Sequence, residues 1–326
     1  MQTVTHPLAA KFTAPMTTLG FGCAPLMGRA SRKESMAALG LAFDAGVTFF
    51  DTARSYGYGQ SEGLLGDFLS GGRREQVVLC TKFGIRAVRP GWKQQLRPVA
   101  RAAVRLVPSL RQAVQRRAGD QFTAGCFSVA DLEASFDRSL RELKTDYVDM
   151  LLLHAAPMSV LEQTDLFVAL EKLVQQGKIR AAGISADLPV METFFAKPIP
   201  VLSSAQFALN PGNIAFAEKV RSHADLLLVA NHPFGGTLGV NGMKDRVAAL
   251  AEDAGLPEDL RRKLKETKDP QLFPELVFGM LLNGTGVAAV VPAMVSARNI
   301  RANVEAMEGC RFSAQELALV RSALAS

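Results

Sequence analysis

From residue 18 onward, short apolar runs bounded by turn residues alternate with stretches whose apolar positions recur at helical spacing. The runs at 18–24, 47–53, 77–84, 148–155, 179–186, 201–209, 226–230 and 287–292 read as strands. Helical spacing is found at 33–45, 62–70, 128–144, 164–176, 190–196, 213–222 and 296–307, with Ser128 placed to cap the third of these helices. Strand followed by helix, repeated, predicts parallel strands joined by crossover helices. Eight such units with no composition break or Pro/Gly/Ser linker predict an α/β chain folded as one (β/α)8 TIM barrel, a single domain over 1–326. A doubly wound open sheet is the alternative, but no G-x-G-x-x-G follows an early strand.

Two connections exceed the usual length: 85–127 after strand three and roughly 235–283 after strand seven. Both leave carboxyl ends of strands, the face on which barrel enzymes build their sites. The first is basic, with nine Lys or Arg against one Asp. Within it Leu96, Val99, Ala103, Leu106 and Val107 interleave with Arg97, Arg101 and Arg105, which fall four residues apart. Three readings fit: a solvated helix packed over the barrel mouth, a helix docked on an anionic membrane surface, or a gate for an acidic substrate. Trp92 and Phe122 flank the insertion as candidate pocket residues.

Composition narrows the class. Of 326 residues, 48% are hydrophobic and 21% charged, as expected of a globular protein with a large core. No run approaches the roughly 18 apolar residues of a membrane span, and residues 1–16 lack a secretory layout, so the expected location is cytoplasmic. Cys23, Cys80, Cys126 and Cys310 are scattered, and His6, His154, His223 and His232 show no metal-ligand spacing; no metal is expected. The net charge of +6 resides in the 85–127 insertion, which argues against a general nucleic-acid surface.

Candidate chemistry concentrates at strand ends. In V-T-F-F-D-T-A-R-S-Y-G-Y-G (47–59), Asp51 ends an apolar strand and Tyr56 follows on a loop. The next strand, V-V-L-C-T-K, ends in Lys82, and the fourth, V-D-M-L-L-L-H, ends in His154. Read singly, Asp51 could be a loop cap, Tyr58 could stand in for Tyr56, Lys82 could be a Schiff-base lysine, and His154 could be a buried, satisfied histidine. Together, in this order on separate strand ends, they resemble the aldo-keto reductase family over nearly the whole chain. The resemblance implies an NAD(P)H-dependent oxidoreductase that reduces an aldehyde or ketone. Tyr56 would give a proton to the carbonyl oxygen, Lys82 would ease that transfer, Asp51 would hold Lys82, and His154 would orient the carbonyl.

The same resemblance implies a groove for NADP(H) or NAD(H). Gly22 and Asp51 would border it, and Ser185 in G-I-S-A and Gln206 in S-A-Q-F would bind the nicotinamide carboxamide. Ala186 stands where the family has Asn, and Asn231 stands where it has a stacking aromatic residue, with His232 next. Pro233, Phe234, Gly236 and Leu238 resemble the loop around the pyrophosphate. In V-V-P-A-M-V-S-A-R-N-I-R-A-N-V, Ser296 would cap the helix that receives the adenosine end, with Asn299 and Asn303 one turn apart and Arg298 the nearest cation. Residues 293–295 carry no Lys or Arg, so NADPH preference is expected to be weaker than is usual in the family. The expected partner is a small-molecule carbonyl substrate, and the assembly a monomer or small homo-oligomer. Alternatives are a cofactor-binding regulatory subunit resembling the potassium-channel beta subunits, and a Lys82 Schiff-base lyase.

Overall fold

The computed structural model describes residues 1–87, 122–223, 225–235, 239–266 and 271–325. Eight parallel strands form one sheet in sequential order. They are β1 (Gly20–Gly22), β2 (Phe49–Asp51), β3 (Val78–Phe83), β4 (Val148–His154), β5 (Ile179–Ser185), β6 (Leu202–Ala208), β7 (Leu227–Asn231) and β8 (Val287–Val291). Parallel bridges Leu19 to Val290 and Gly22 to Ala293 bring the first strand beside the last, so the sheet closes on itself. Helices α1 (Arg32–Asp44), α2 (Ser61–Leu69), α3 (Val129–Leu143), α4 (Thr164–Gln175) and α5 (Leu188–Ala196) cross over between the earlier strands. The expected (β/α)8 barrel is what the chain forms.

Local chemistry sets the helix starts. Ser31 and Ser128 each accept a hydrogen bond from the backbone three residues on, and Glu34 and Asp131 reach back to the cap residue's own N–H. These reciprocal bonds satisfy amide donors that a helix N-terminus otherwise leaves open. Asp187 caps α5 in one direction only, its side chain accepting from Val190 N–H ahead of a proline in the first turn.

Two apolar layers result. The larger lies between strands and helices and includes Phe21, Phe50, Phe68, Phe136, Phe194 and Phe207. The smaller fills the barrel's interior from below: Leu8, Phe12 and Met16 of the N-terminal segment pack on Phe49, Val78, Cys80, Met150, Leu152, Leu227 and Val229. The floor is also tied by a buried ion pair, in which Arg74 reaches Asp149 at 3.0 Å while Asp149 accepts from the backbone N–H of Thr13 and Leu79. One end of the barrel is thereby sealed.

Differences from the sequence reading lie in the second half. The connection after β7 is built around helices, α7 (Gly239–Leu250), α8 (Glu258–Leu264) and α9 (Leu272–Leu282), where a long loop was expected. Helix α9 reads L-F-P-E-L-V-F-G-M-L-L and is buried almost all round, so it shows no polar stripe to mark its period. The helix expected over 213–222 shortens to α6 (Phe216–Val220), because Asn210 and Asn213 bond to backbone groups around them and hold a turn instead. Helices α10 (Ala297–Glu308) and α11 (Ala314–Ala325) complete the outer layer. Of the 85–127 insertion, Arg86–Ala87 and Phe122–Thr123 pair as a short antiparallel ribbon; the arginine stripe and Trp92 lie outside the described residues. Among the described residues no helix is long and apolar enough to cross a membrane, and no group of three metal-ligating side chains gathers.

Candidate active site

Side chains alternate across a strand, so every second residue of a barrel strand faces the interior. Phe49, then Val78 and Cys80, then Met150 and Leu152, then Leu227 and Val229 are the inward apolar residues. Two residues further along the same faces come Asp51, Lys82, His154 and Asn231. Ser185 ends β5 and Gln206 lies two residues before the end of β6; the two are paired in register with each other, and Ser185 is also paired with His154. A single period-two rule therefore turns an apolar interior into a polar rim at its open end.

Tyr56 reaches that rim from the loop after β2. The loop is held by backbone bonds from Thr52 N–H to Cys80 O at 2.9 Å and from Tyr56 N–H to Ala53 O at 3.1 Å. Gly57 follows with φ of 57°, and a Cβ there would lie 2.5 Å from the Leu26 carbonyl oxygen, so only glycine fits behind the tyrosine.

The rim's centre is a buried ion pair. Lys82 Nζ donates to both Asp51 oxygens at 2.6 and 2.7 Å and to Thr52 O at 3.0 Å, and it lies 3.4 Å from the Tyr56 hydroxyl. The ammonium is 1% exposed and Asp51 is 3% exposed. Burial alone would lower the lysine's pKa, but the Asp51 carboxylate overcomes it and holds Lys82 well above the usual lysine range. A lysine kept protonated this way is no nucleophile, which removes the support for a Schiff-base lyase. The Tyr56 phenol is raised from its ordinary value by burial, which the pull of Lys82 opposes without cancelling. The Tyr56 phenol therefore keeps its proton near neutrality while its oxygen accepts from Lys82 Nζ.

His154 stands edge-on to Tyr56 with ring centroids 5.6 Å apart. Burial and then the Lys82 charge push its pKa down to about 3, so the imidazole is neutral. Its Nδ1 is buried with no partner. Tyr58, the other tyrosine of the motif, lies in the same turn with φ of 60°.

The groove residues divide by position. Ser185 Oγ donates to Gln206 Oε1 at 3.2 Å, and Asn231 Nδ2 donates to the same oxygen at 3.3 Å. Gln206 Nε2 is buried and unpartnered. Buried polar groups nearly always find partners, so an orphaned amide donor on this rim fits a ligand carrying an amide carbonyl, as nicotinamide does. Gly22 sits on β1 with its N–H donating to Pro292 O at 3.0 Å, beside the end of β8. Pro233 is buried, and the Phe234 ring faces Phe278 and Phe273 at 5.1 and 5.7 Å, which anchors the post-β7 loop to α9. Gly236 and Leu238 lie outside the described residues. Ser296 accepts from Asn299 N–H at 3.2 Å as the cap of α10. Arg298 and Asn299 are exposed, whereas Asn303 is buried, so the two asparagines do not share one environment.

One supporting group was not singled out by sequence. Buried Arg54 bridges Glu62 of α2 and Glu142 of α3, the latter at 3.0 Å, and Glu62 accepts from Thr81 Oγ1 at 2.6 Å, next to Lys82. The signal was a charged residue on the buried face of α2, visible only once that face is known.

Comparison with known proteins gives the family and the fold. Residues 18–325 match the profile of the Aldo/keto reductase family. D-threo-aldose 1-dehydrogenase of a Pseudomonas species is 33% identical over 187 residues, which is 56% of this chain and 54% of that protein. The chain thus spans about half the length of this curated relative. In fold, aldo-keto reductase AKR11C1 from Bacillus halodurans in its holo form has a TM-score of 0.66 at 23% identity, covering 100% of this chain and 96% of that one. An aldo-keto reductase from Klebsiella pneumoniae in complex with NADPH has a TM-score of 0.63 at 22% identity, with 100% and 96% covered. Profile match across the barrel, and a rim built at its open end, make this chain a member of the Aldo/keto reductase family.

Proposed function

We propose that the protein is an NAD(P)H-dependent oxidoreductase that reduces an aldehyde or ketone to the alcohol, with Tyr56 as the proton donor. The observation that carries this reading is the Tyr56 hydroxyl 3.4 Å from a buried, charge-paired Lys82, beside a neutral His154, on a rim that also holds the unpartnered Gln206 Nε2. Family membership and the NADPH complex of the Klebsiella protein support the cofactor class.

When bound, the reduced nicotinamide supplies a hydride to the carbonyl carbon. The chain's own residues do the rest. Tyr56 gives its hydroxyl proton to the carbonyl oxygen, and the nearby ammonium stabilises the phenolate left behind. Asp51 keeps that ammonium in place. His154, being neutral, hydrogen-bonds the carbonyl oxygen without adding a charge to the site. Ser185 and Gln206 hold the carboxamide and so fix which ring face looks toward Tyr56. The Ser296 end of α10 receives the adenosine portion, with Arg298 as its cation. A complete proton-donor set favours turnover over the reading as a cofactor-binding regulatory subunit.

The test is consumption of NADPH and NADH, followed in the near ultraviolet, with a panel of aldehydes and ketones. Carbonyl-dependent oxidation is expected with both nucleotides. Because residues 293–295 are Ala, Met and Val, the two kcat/KM values are expected to lie within about 100-fold of each other. A panel with no turnover would return the regulatory reading to the front.

A further inference from the structure

We propose that His232 and Asn231 are positioning residues that lock the Gln206 amide with its NH2 presented to the carbonyl oxygen of a nicotinamide carboxamide; this rests on the cofactor reading above. Three hydrogen bonds run in one direction. His232 Nδ1 meets Asn231 Oδ1 at 2.9 Å, and since an amide oxygen only accepts, Nδ1 carries the proton. Asn231 is thereby turned so that its Nδ2 donates to Gln206 Oε1 at 3.3 Å. Ser185 Oγ donates to the same oxygen at 3.2 Å. With both acceptor sites of Oε1 used, flipping Gln206 would set its NH2 against the NH2 of Asn231. Nε2 is therefore left as the free group, and it is the buried, unpartnered donor of the rim. A donor so fixed selects a ligand that presents a carbonyl oxygen there.

The polar link comes from β7 because the residue after Ser185, Ala186, ends in a methyl group and can make no such bond. The backbone is shaped for it. His232 has φ of 51°, a left-handed conformation that disfavours any residue with a Cβ, and the turn is closed by Gly235 N–H donating to His232 O at 2.8 Å. Glycine would suit that backbone better, yet glycine would lack the imidazole that orients Asn231. His232 itself is exposed, so its ring forms the solvent side of the relay while Gln206 forms the buried side.

The experiment is titration calorimetry of the full chain with NADP+ and with 2′-phospho-ADP-ribose, which has every part of the nucleotide except the nicotinamide. Asn231→Ala is expected to weaken NADP+ binding by about threefold to tenfold and to leave the fragment's affinity unchanged. Asn231→Asp, the same size but without a donor, is expected to weaken NADP+ at least as much, because Gln206 then turns its NH2 toward the new carboxylate. His232→Gly is expected to weaken NADP+ without lowering the melting temperature, since it relieves the left-handed backbone. Wild-type affinity for NADP+ in both Asn231 variants overturns the relay, as does equal weakening of NADP+ and fragment, which would mark a structural role for the loop. A wild-type protein that binds neither nucleotide overturns the cofactor reading itself, and the relay with it.

Discussion

A lysine ammonium that is 1% exposed survives inside a barrel only because Asp51 takes its charge at 2.6 Å. Asp51→Asn leaves that cation without its counter-charge, and the expected loss of stability is about 3–5 kcal/mol in urea unfolding. An unchanged midpoint would show that the pair does not hold Lys82. His154 makes a second residue-scale prediction. Its folded pKa of about 3 lies below the unfolded value of 6.5, so between those values the unfolded chain binds the extra proton. The stability this histidine contributes is complete above pH 6.5 and is lost as pH falls toward 3. Comparing wild type with His154→Gln should therefore show the wild type losing stability more steeply across that window; parallel curves would contradict the burial argument. At this scale the sequence was most legible where one strand ends in one polar residue, as at Asp51, Lys82 and His154. The link among His232, Asn231 and Gln206 was not legible, because it depends on register between separate strands.

At the scale of elements, close approach matters more than propensity. Gly66 lets α2 rest on the end of α3: a Cβ there would lie 2.3 Å from Glu142 O and 2.8 Å from Leu143 C, backbone atoms that cannot move aside. Arg54 joins Glu62 to Glu142 across the same contact. Gly66→Ala should force the helices apart and cost about 1–3 kcal/mol in chemical denaturation. A neutral result would mean that the interface is plastic. Strands and capped helices could be read from periodicity, since their apolar runs and Ser128-type caps are local signals. Helix α9 could not, because a helix buried all round has no polar face. The shortened α6 escaped for the opposite reason: side-chain bonds from Asn210 and Asn213 compete with the helix in a way that apolar spacing does not register.

For the whole molecule, closure of β1 beside β8 and the apolar floor under the barrel leave one polar end, where Asp51, Lys82, His154, Ser185, Gln206 and Asn231 lie. The barrel itself was legible from eight repeats of strand and helix. What the sequence alone could not supply was how the rim's charges balance, and in particular that burial keeps the Tyr56 phenol protonated against the pull of Lys82. The most direct measurement is the kinetics and nucleotide binding of Tyr56→Phe, with a carbonyl substrate of the wild type. The account predicts that kcat falls by about a hundredfold to ten-thousandfold while the Kd for NADPH stays within about threefold. Retention of wild-type kcat would contradict it, because the proton would then have to come from another group.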